Sequence, residues 1–552
     1  MLLSSHTPPL LALAVLLVAI PTVYGQDPDT TQLPEIAPRE IEIRGERQID
    51  LPSLERQPLT GFSSPARVPA VPADRTPYVR SYRQTLDDLP ENLPIPETVS
   101  EPMEPATDPA QGFLEGGTGR YLSRFFEGRV GVPLSANDRL SLHGQYTGIE
   151  NNPDDDVADA RIRYERTPEG LRIAADAHGG AQRYALFGAS PSDSEREAFT
   201  AGGAFRLRTL GDRPTRVEMR YDNAEYTSRR DSTSVFSQQQ FSLTGSGTLP
   251  LPLRPDLDGT LRRSWFGGDP TDDPAFSLDA GGRLTAYETE STTVQAGARV
   301  LTYETPTRST STQGGTVSAT FVAPSVRVEW AIADRTRLHI HNRPRLGDTS
   351  LDRLYATNPY AQHAPSLQPT LETTNAEAGL TVSLGTVRLV TAAGYRHAPT
   401  YRYFSYDAQS GLYDVRYNSA RILQGRGQIA LQGIEGVQAS LGLSVRDGTL
   451  TSRDTEIPSF APITADAMLA VSFADGDGFL EAQTRFESPR DASLANDRLD
   501  SYFTLDLEGT YALGDQAEIV ARAEHLSSGT LTLWKNHPHP PAQVSAGLRL
   551  NW

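Results

Sequence analysis

The chain has 552 residues, a formal charge of −18 and no cysteine. The missing cysteine excludes disulfides, thiol nucleophiles and a lipid anchor on a processed cysteine, and the acidic balance leaves no basic face for a nucleic-acid partner. The length admits several domains or one large barrel.

"MLLSSHTPPLLALAVLLVAIPTVYGQDP" carries an apolar run from Leu10 to Ile20, then small residues around Val23 and Gly25. This layout predicts a cleaved secretory signal over 1–25, with the mature chain starting near Gln26. The run falls short of the roughly 20 apolar residues a membrane helix needs. Residues 26–111 are dense in Pro, Glu and Asp, as in "LPENLPIPETVSEPMEPATDPAQG". Such a composition buries too little apolar surface to offset chain entropy, which predicts a mostly disordered periplasmic arm or linker. Only Ile41 and Ile43, in "REIEIRGER", suggest an isolated strand there.

From Gly112 to Trp552 the texture changes to short alternating runs separated by Gly, Asn, Asp and Pro. Leu140, Leu142 and Tyr146 alternate with Arg139, Ser141, His143 and Gln145. Val437, Ala439, Leu441, Leu443 and Val445 alternate with Gln438, Ser440, Gly442, Ser444 and Arg446. "IADRTR" (332–337) and "FADGDGF" (473–479) mark tight turns between such runs. The polar side of these strands carries Arg, Glu, Gln and Ser continuously, which suits a wet lumen better than a soluble core. The aromatics of "RYFSYDAQSGLYDVRY" (402–417) suggest an interfacial girdle. The fold class predicted for 112–552 is all-β: a large closed antiparallel transmembrane β-barrel of roughly 18 to 22 strands, even in number.

Candidate chemistry is sparse. "IENNPDDD" (149–156) has the oxygen density of a calcium loop but not the EF-hand spacing, and with the acidic cluster at Asp272 it reads as solvated loop. "RTRLHIHNRPR" places Arg337, His339, His341, Arg343 and Arg345 on one face, the candidate lumen-facing row, with Leu338 and Ile340 on the other. Two His at i and i+2 can share a metal, but no third ligand is identifiable in the sequence, so a plain lumen-facing strand that attracts anions is the expectation. His537 and His539, in "NHPHPP", fall in an expected external loop. No G-x-S-x-G, phosphate loop or zinc-protease helix occurs in its required context, so neither enzyme activity nor a cofactor is expected.

The last stretch, "QVSAGLRLNW", alternates without exception: Val544, Ala546, Leu548, Leu550 and Trp552 against Gln543, Ser545, Gly547, Arg549 and Asn551. A terminal strand must find a partner if it lies in lipid, where every backbone group has to be paired. The first strand is the expected partner. The terminal pattern also resembles the C-terminal signal by which outer-membrane proteins are recognised by the barrel-assembly machinery, and that resemblance implies that the apolar row is the assembly signal.

"SYFTLDLEGTYALG", "QAEIVARAEHLSSGTLTLWKNHPHPP" and "AQVSAGLRLNW" resemble the end of a TonB-dependent receptor barrel, and "GFLEGGTGRYLSRFFEGRVGVPL" (112–134) resembles the opening strands of Bacteroidetes-type receptor-like barrels. The resemblance implies an outer-membrane location, partnership with lipid and the barrel-assembly machinery, and passage or uptake of a solute. It also implies a folded plug of well over a hundred residues, for which 26–111 is too short and too Pro-rich; "EIEIRGER" resembles only a plug's first strand. The alternative expectation is a non-transporting envelope barrel whose arm binds a periplasmic protein.

Overall fold

The computed structural model describes residues 112–552 apart from 151–154, 187–193, 212–213, 230–232, 252–253, 268–273, 308–314, 364–365, 495–496, 527–531 and 539–541. The expected signal (1–25), the arm (26–111) with Ile41 and Ile43, Asp272 and His539 lie outside the described residues.

Period-2 alternation becomes strand wherever the two faces meet different surroundings. In Val437–Leu450, Leu441, Leu443 and Val445 stand about half exposed on the outer face, while Arg446 turns inward and donates to Ala461 O at 3.1 Å. Repeated around the sheet, this gives an outer surface of exposed Leu, Ile and Phe, among them Phe126, Leu142, Ile162 and Leu469. The inner wall is polar and charged.

Among the described residues the closed main ladder has 22 strands, each antiparallel to its neighbour. The last, Gln543–Asn551, pairs with the first, Gly112–Gly119, so that Arg549 lies opposite Glu115 and Leu548 opposite Gly116. Closure leaves the main ladder without a free edge. The seam is also held from inside: the fully buried Glu115 carboxylate takes Arg549 Nη2 at 2.7 Å and Arg522 Nη2 at 2.6 Å.

The two ends of the barrel differ. At one end the connections are short turns, such as 136–137, 385–386 and 515–516, and the expected turns in "IADRTR" and "FADGDGF" are both there. Gly112 and Trp552 meet at this end, exchanging backbone hydrogen bonds of 3.1 Å. The other end carries the long connections 343–373, 451–462, 488–501 and 525–542. Strands Val387–Asp407 and Leu412–Ile434, 21 and 23 residues long, far exceed the roughly 9–11 that cross a bilayer, so their joined tips project past the wall. A register shift between Ala398 and Tyr401 bends this hairpin.

That hairpin corrects one expectation. Tyr403, Phe404 and Tyr413 of "RYFSYDAQSGLYDVRY" are buried rather than displayed in a girdle. Phe404 and Tyr413 pack against the one α-helix among the described residues, α1 (Leu351–Thr357), in connection 343–373. Tyr403 packs with Ile422, Leu450 and Ile457. Leu412 at the tip packs against Tyr184 and Leu186, eleven strands away around the wall.

Candidate functional site: the capped mouth and the inner wall

Connection 343–373 folds across the mouth because its apolar residues find partners only on distant strands. Ser350 caps α1, its hydroxyl accepting from Arg353 N, and Leu351, Leu354 and Tyr355 are buried against Tyr226 and Phe236. Gln238 clamps the helix start by accepting from Leu351 N at 2.7 Å and donating to Thr349 O at 3.2 Å. Beyond α1 the chain is held by Arg196, which is fully buried. Its guanidinium donates to Pro359 O at 2.7 Å, Ala361 O at 2.9 Å and Ser228 Oγ at 3.1 Å, and lies 4.3 Å over the Tyr355 ring. Carbonyl dipoles and a π-face thus stand in for a counter-ion.

Connection 525–542 closes the mouth from a third direction. His537 stacks on Tyr360 at 3.6 Å between ring centroids and reaches Gly411 O at 3.0 Å. Lys535 N donates to the Tyr413 hydroxyl at 2.6 Å. His537 thus lies in connection 525–542, among the long connections, and is packed into the cap. Burial pushes the Tyr360 phenol up to about 12. At Asp348, burial opposes ionisation, but Arg262, the Ser350 N–H, Arg353 and Arg402 outweigh it and hold the carboxyl below its ordinary range. Between cap and wall lies a cavity of about 610 Å³ whose lining includes Arg124, Phe125, Tyr184, Tyr360, Trp534 and His537.

Below the cap the inner wall is laced with ion pairs. Asp258 takes Arg299 at 2.6 Å and Arg343 at 3.0 Å. Asp279 pairs with the same Arg299 and accepts from Leu346 N at 3.1 Å, tying the base of the cap to the wall. Glu372 takes Arg345 at 2.7 Å and Arg396 at 3.5 Å.

The candidate row is divided between wall and cap. Strand Thr336–Asn342 ends before Arg343 and Arg345, which belong to the base of the cap connection. Arg337 is exposed near the short turn, and Ile340 is exposed on the outer face. His339 and His341 stand together, ring centroids 6.0 Å apart, and the structure supplies the third group that the sequence hid. Glu377, directly opposite His341 in register, brings His339, His341 and Glu377 ligand atoms within 4.8 Å of one another. Of "IENNPDDD", Asp156 lies in strand Asp155–Arg166 and accepts from the Tyr146 hydroxyl at 2.9 Å. In the terminal strand, Val544, Ala546, Leu548, Leu550 and Trp552 are all exposed and Arg549 faces the inner ion pairs.

A closed barrel with a charged inner wall and an apolar exterior is the architecture of one sequence family, described as TonB dependent receptor-like, beta-barrel, whose profile matches residues 76–534. The chain belongs to this family. Among solved structures it is similar to the FrpB iron transporter from Neisseria meningitidis (F3-3 variant), with 12% identity, a TM-score of 0.62, and 81% of this chain and 82% of that one covered. The siderophore receptor PirA from Acinetobacter baumannii matches at 12% identity and TM-score 0.59, with 81% of each chain covered. The copper transporter OprC matches at 13% and 0.57, with 80% of each covered. Such identities establish a shared barrel fold and nothing finer. No curated protein matches the sequence.

Proposed function

We propose that this TonB-dependent receptor-like barrel sits in the outer membrane and takes up or passes a solute, with the short-turn end in the periplasm and the capped mouth outside. The observation that carries the reading is the inversion of its two surfaces: exposed Leu, Ile and Phe outside, ion-paired Asp, Glu and Arg inside. Water does not favour such an exterior, and lipid does. The cavity under the cap, of a size that suits a small ligand, is the candidate first docking place for the solute. The apolar row Val544, Ala546, Leu548, Leu550 and Trp552 serves the barrel-assembly machinery, and residues 26–111 serve as a periplasmic arm after removal of 1–25. Receptors and transporters, not enzymes, make up the family and its neighbours, in keeping with this role.

The test is fractionation followed by flux. The mature protein is expected in the outer membrane, heat-modifiable on gels, and its proteoliposomes are expected to admit small solutes. Recovery in the soluble periplasm overturns the location. Absence of flux, with or without residues 26–111, overturns transport and favours the envelope barrel whose arm binds a periplasmic protein.

A further inference from the structure

We infer that His339, His341 and Glu377 form a binding site for a divalent transition cation of zinc-like softness on the inner wall, just below the cap. Two imidazoles and one carboxylate, with a position left open for water or an anion, are a donor set that such ions take.

Three observations build the site. First, the donors sit on two directly paired strands: His341 faces Glu377, and His339 faces Gly379. Their ligand atoms lie within 4.8 Å of one another, and rigid strands rather than loops hold them. Second, Gly379 makes room. A β-carbon at 379 would collide with Cε1 and Nε2 of His339, so only glycine lets that imidazole lie across the neighbouring strand and bring Nε2 to 3.4 Å from Glu377 Oε1. Third, the carboxylate is oriented. Glu377 is buried, Arg426 Nη2 donates to Oε1 at 2.6 Å, and among the described residues both contacts fall on Oε1, leaving Oε2 to a cation. A hydrogen-bonded second shell of this kind tunes metal ligands.

The surrounding charge permits a dication. On the strand to the other side, Arg327 faces His341 and Glu329 faces His339, and these two pair with each other at 2.6 Å. Glu377 and Arg426 likewise offset one another, so these four side chains together carry no net charge to repel the ion.

The test uses the full chain, purified in detergent and stripped with chelator. Cobalt(II) is the probe because its visible d–d bands report low coordination number, with zinc(II) as competitor. One equivalent with such bands, displaced by zinc, is expected. Glu377→Gln keeps the shape and still accepts from Arg426, so the barrel folds; it should weaken cobalt binding at least tenfold, as should His341→Ala. Gly379→Ala removes no donor but pushes His339 aside, its Cβ also meeting Thr391 O at 2.9 Å, and should weaken binding by about 10–100-fold. Wild-type protein without cobalt bands, or three folded variants that bind as tightly as wild type, overturns the site. Because the readout is ion binding, a barrel that binds cobalt but passes no solute would refute the uptake reading and leave this site standing.

Discussion

The two ends of this barrel are built by different physics. At the short-turn end, local chemistry closes each hairpin: Gly385 and Thr386 join two strands with Gly385 at φ 61°, a backbone shape that costs glycine nothing. At the mouth the contacts that seat the cap on the wall are not local. Pro359 O and Ala361 O find their donor at Arg196, more than 160 positions earlier in the chain, and Leu351 N finds its acceptor at Gln238. Short turns can be read residue by residue, whereas a cap is specified by the wall it lands on. The cap is accordingly the part where single substitutions should act at long range.

The sharpest way to break the comparison is Arg196→Ala. It removes the Arg196 hydrogen bond to Ala361 O, leaves Pro359 O with only the Tyr184 hydroxyl at 3.3 Å, and empties the space over Tyr355, which should cost about 3–5 kcal/mol of the cap's hold. Amide exchange over 351–361 should accelerate strongly while the amides of Val437–Leu450 keep their protection. Equal acceleration in both would mean that cap and wall unfold together.

The wall shared by both ends should respond to facing alone. Leu548→Arg puts a charge on the outer surface and should cost about 2–4 kcal/mol if that level lies near the bilayer midplane. Arg549→Leu should cost less, because Arg522 still pairs with Glu115 at 2.6 Å. Assembly yields of the two variants check this, and the reverse order would invert the strand.

Acid provides a gentler probe of the mouth. Asp348 has its folded pKa depressed by Arg262 and its other partners against the cost of burial. Its stabilisation is thus fully present above the unfolded value of about 3.9 and is lost as pH falls through the folded value. Proteolysis within 347–371 by an acid-active protease should therefore be faster at the acid end of that window, and in Asp348→Asn the acceleration should shrink. A pH response unchanged in the variant would remove Asp348 as an anchor of the cap.

The smallest effect belongs to the turn end. Gly385→Ala meets no atom within 4 Å but must hold a positive φ, at a cost of about 1–2 kcal/mol. Urea unfolding of the inserted barrel should show that loss with no change in cap exchange.

What was legible in the sequence follows the same division. Alternation placed the wall and its facing, because an apolar exterior and a polar lumen impose one rule on every strand, and "FADGDGF" and "IADRTR" marked their turns. The aromatics of 402–417 were misplaced in a girdle because alternation cannot tell an aromatic facing lipid from one facing a folded-back connection. Glu377 escaped notice because the 343–373 connection separates it from His341, and the register across such a connection is set by closure of the barrel. The one local hint was "NAEAGL", where an isolated Glu377 and Gly379 share the inner face.

Connection 343–373, together with 525–542, caps the mouth of the barrel, and under the proposed function it restricts passage. Single-channel conductance in planar bilayers tests it most directly, comparing a chain that lacks residues 26–111 with the same chain in which 347–371 are replaced by a short Gly-Ser turn. A parent that conducts in small steps and a variant with large, stable open steps are expected, both remaining heat-modifiable. Equal conductance in the two would contradict it.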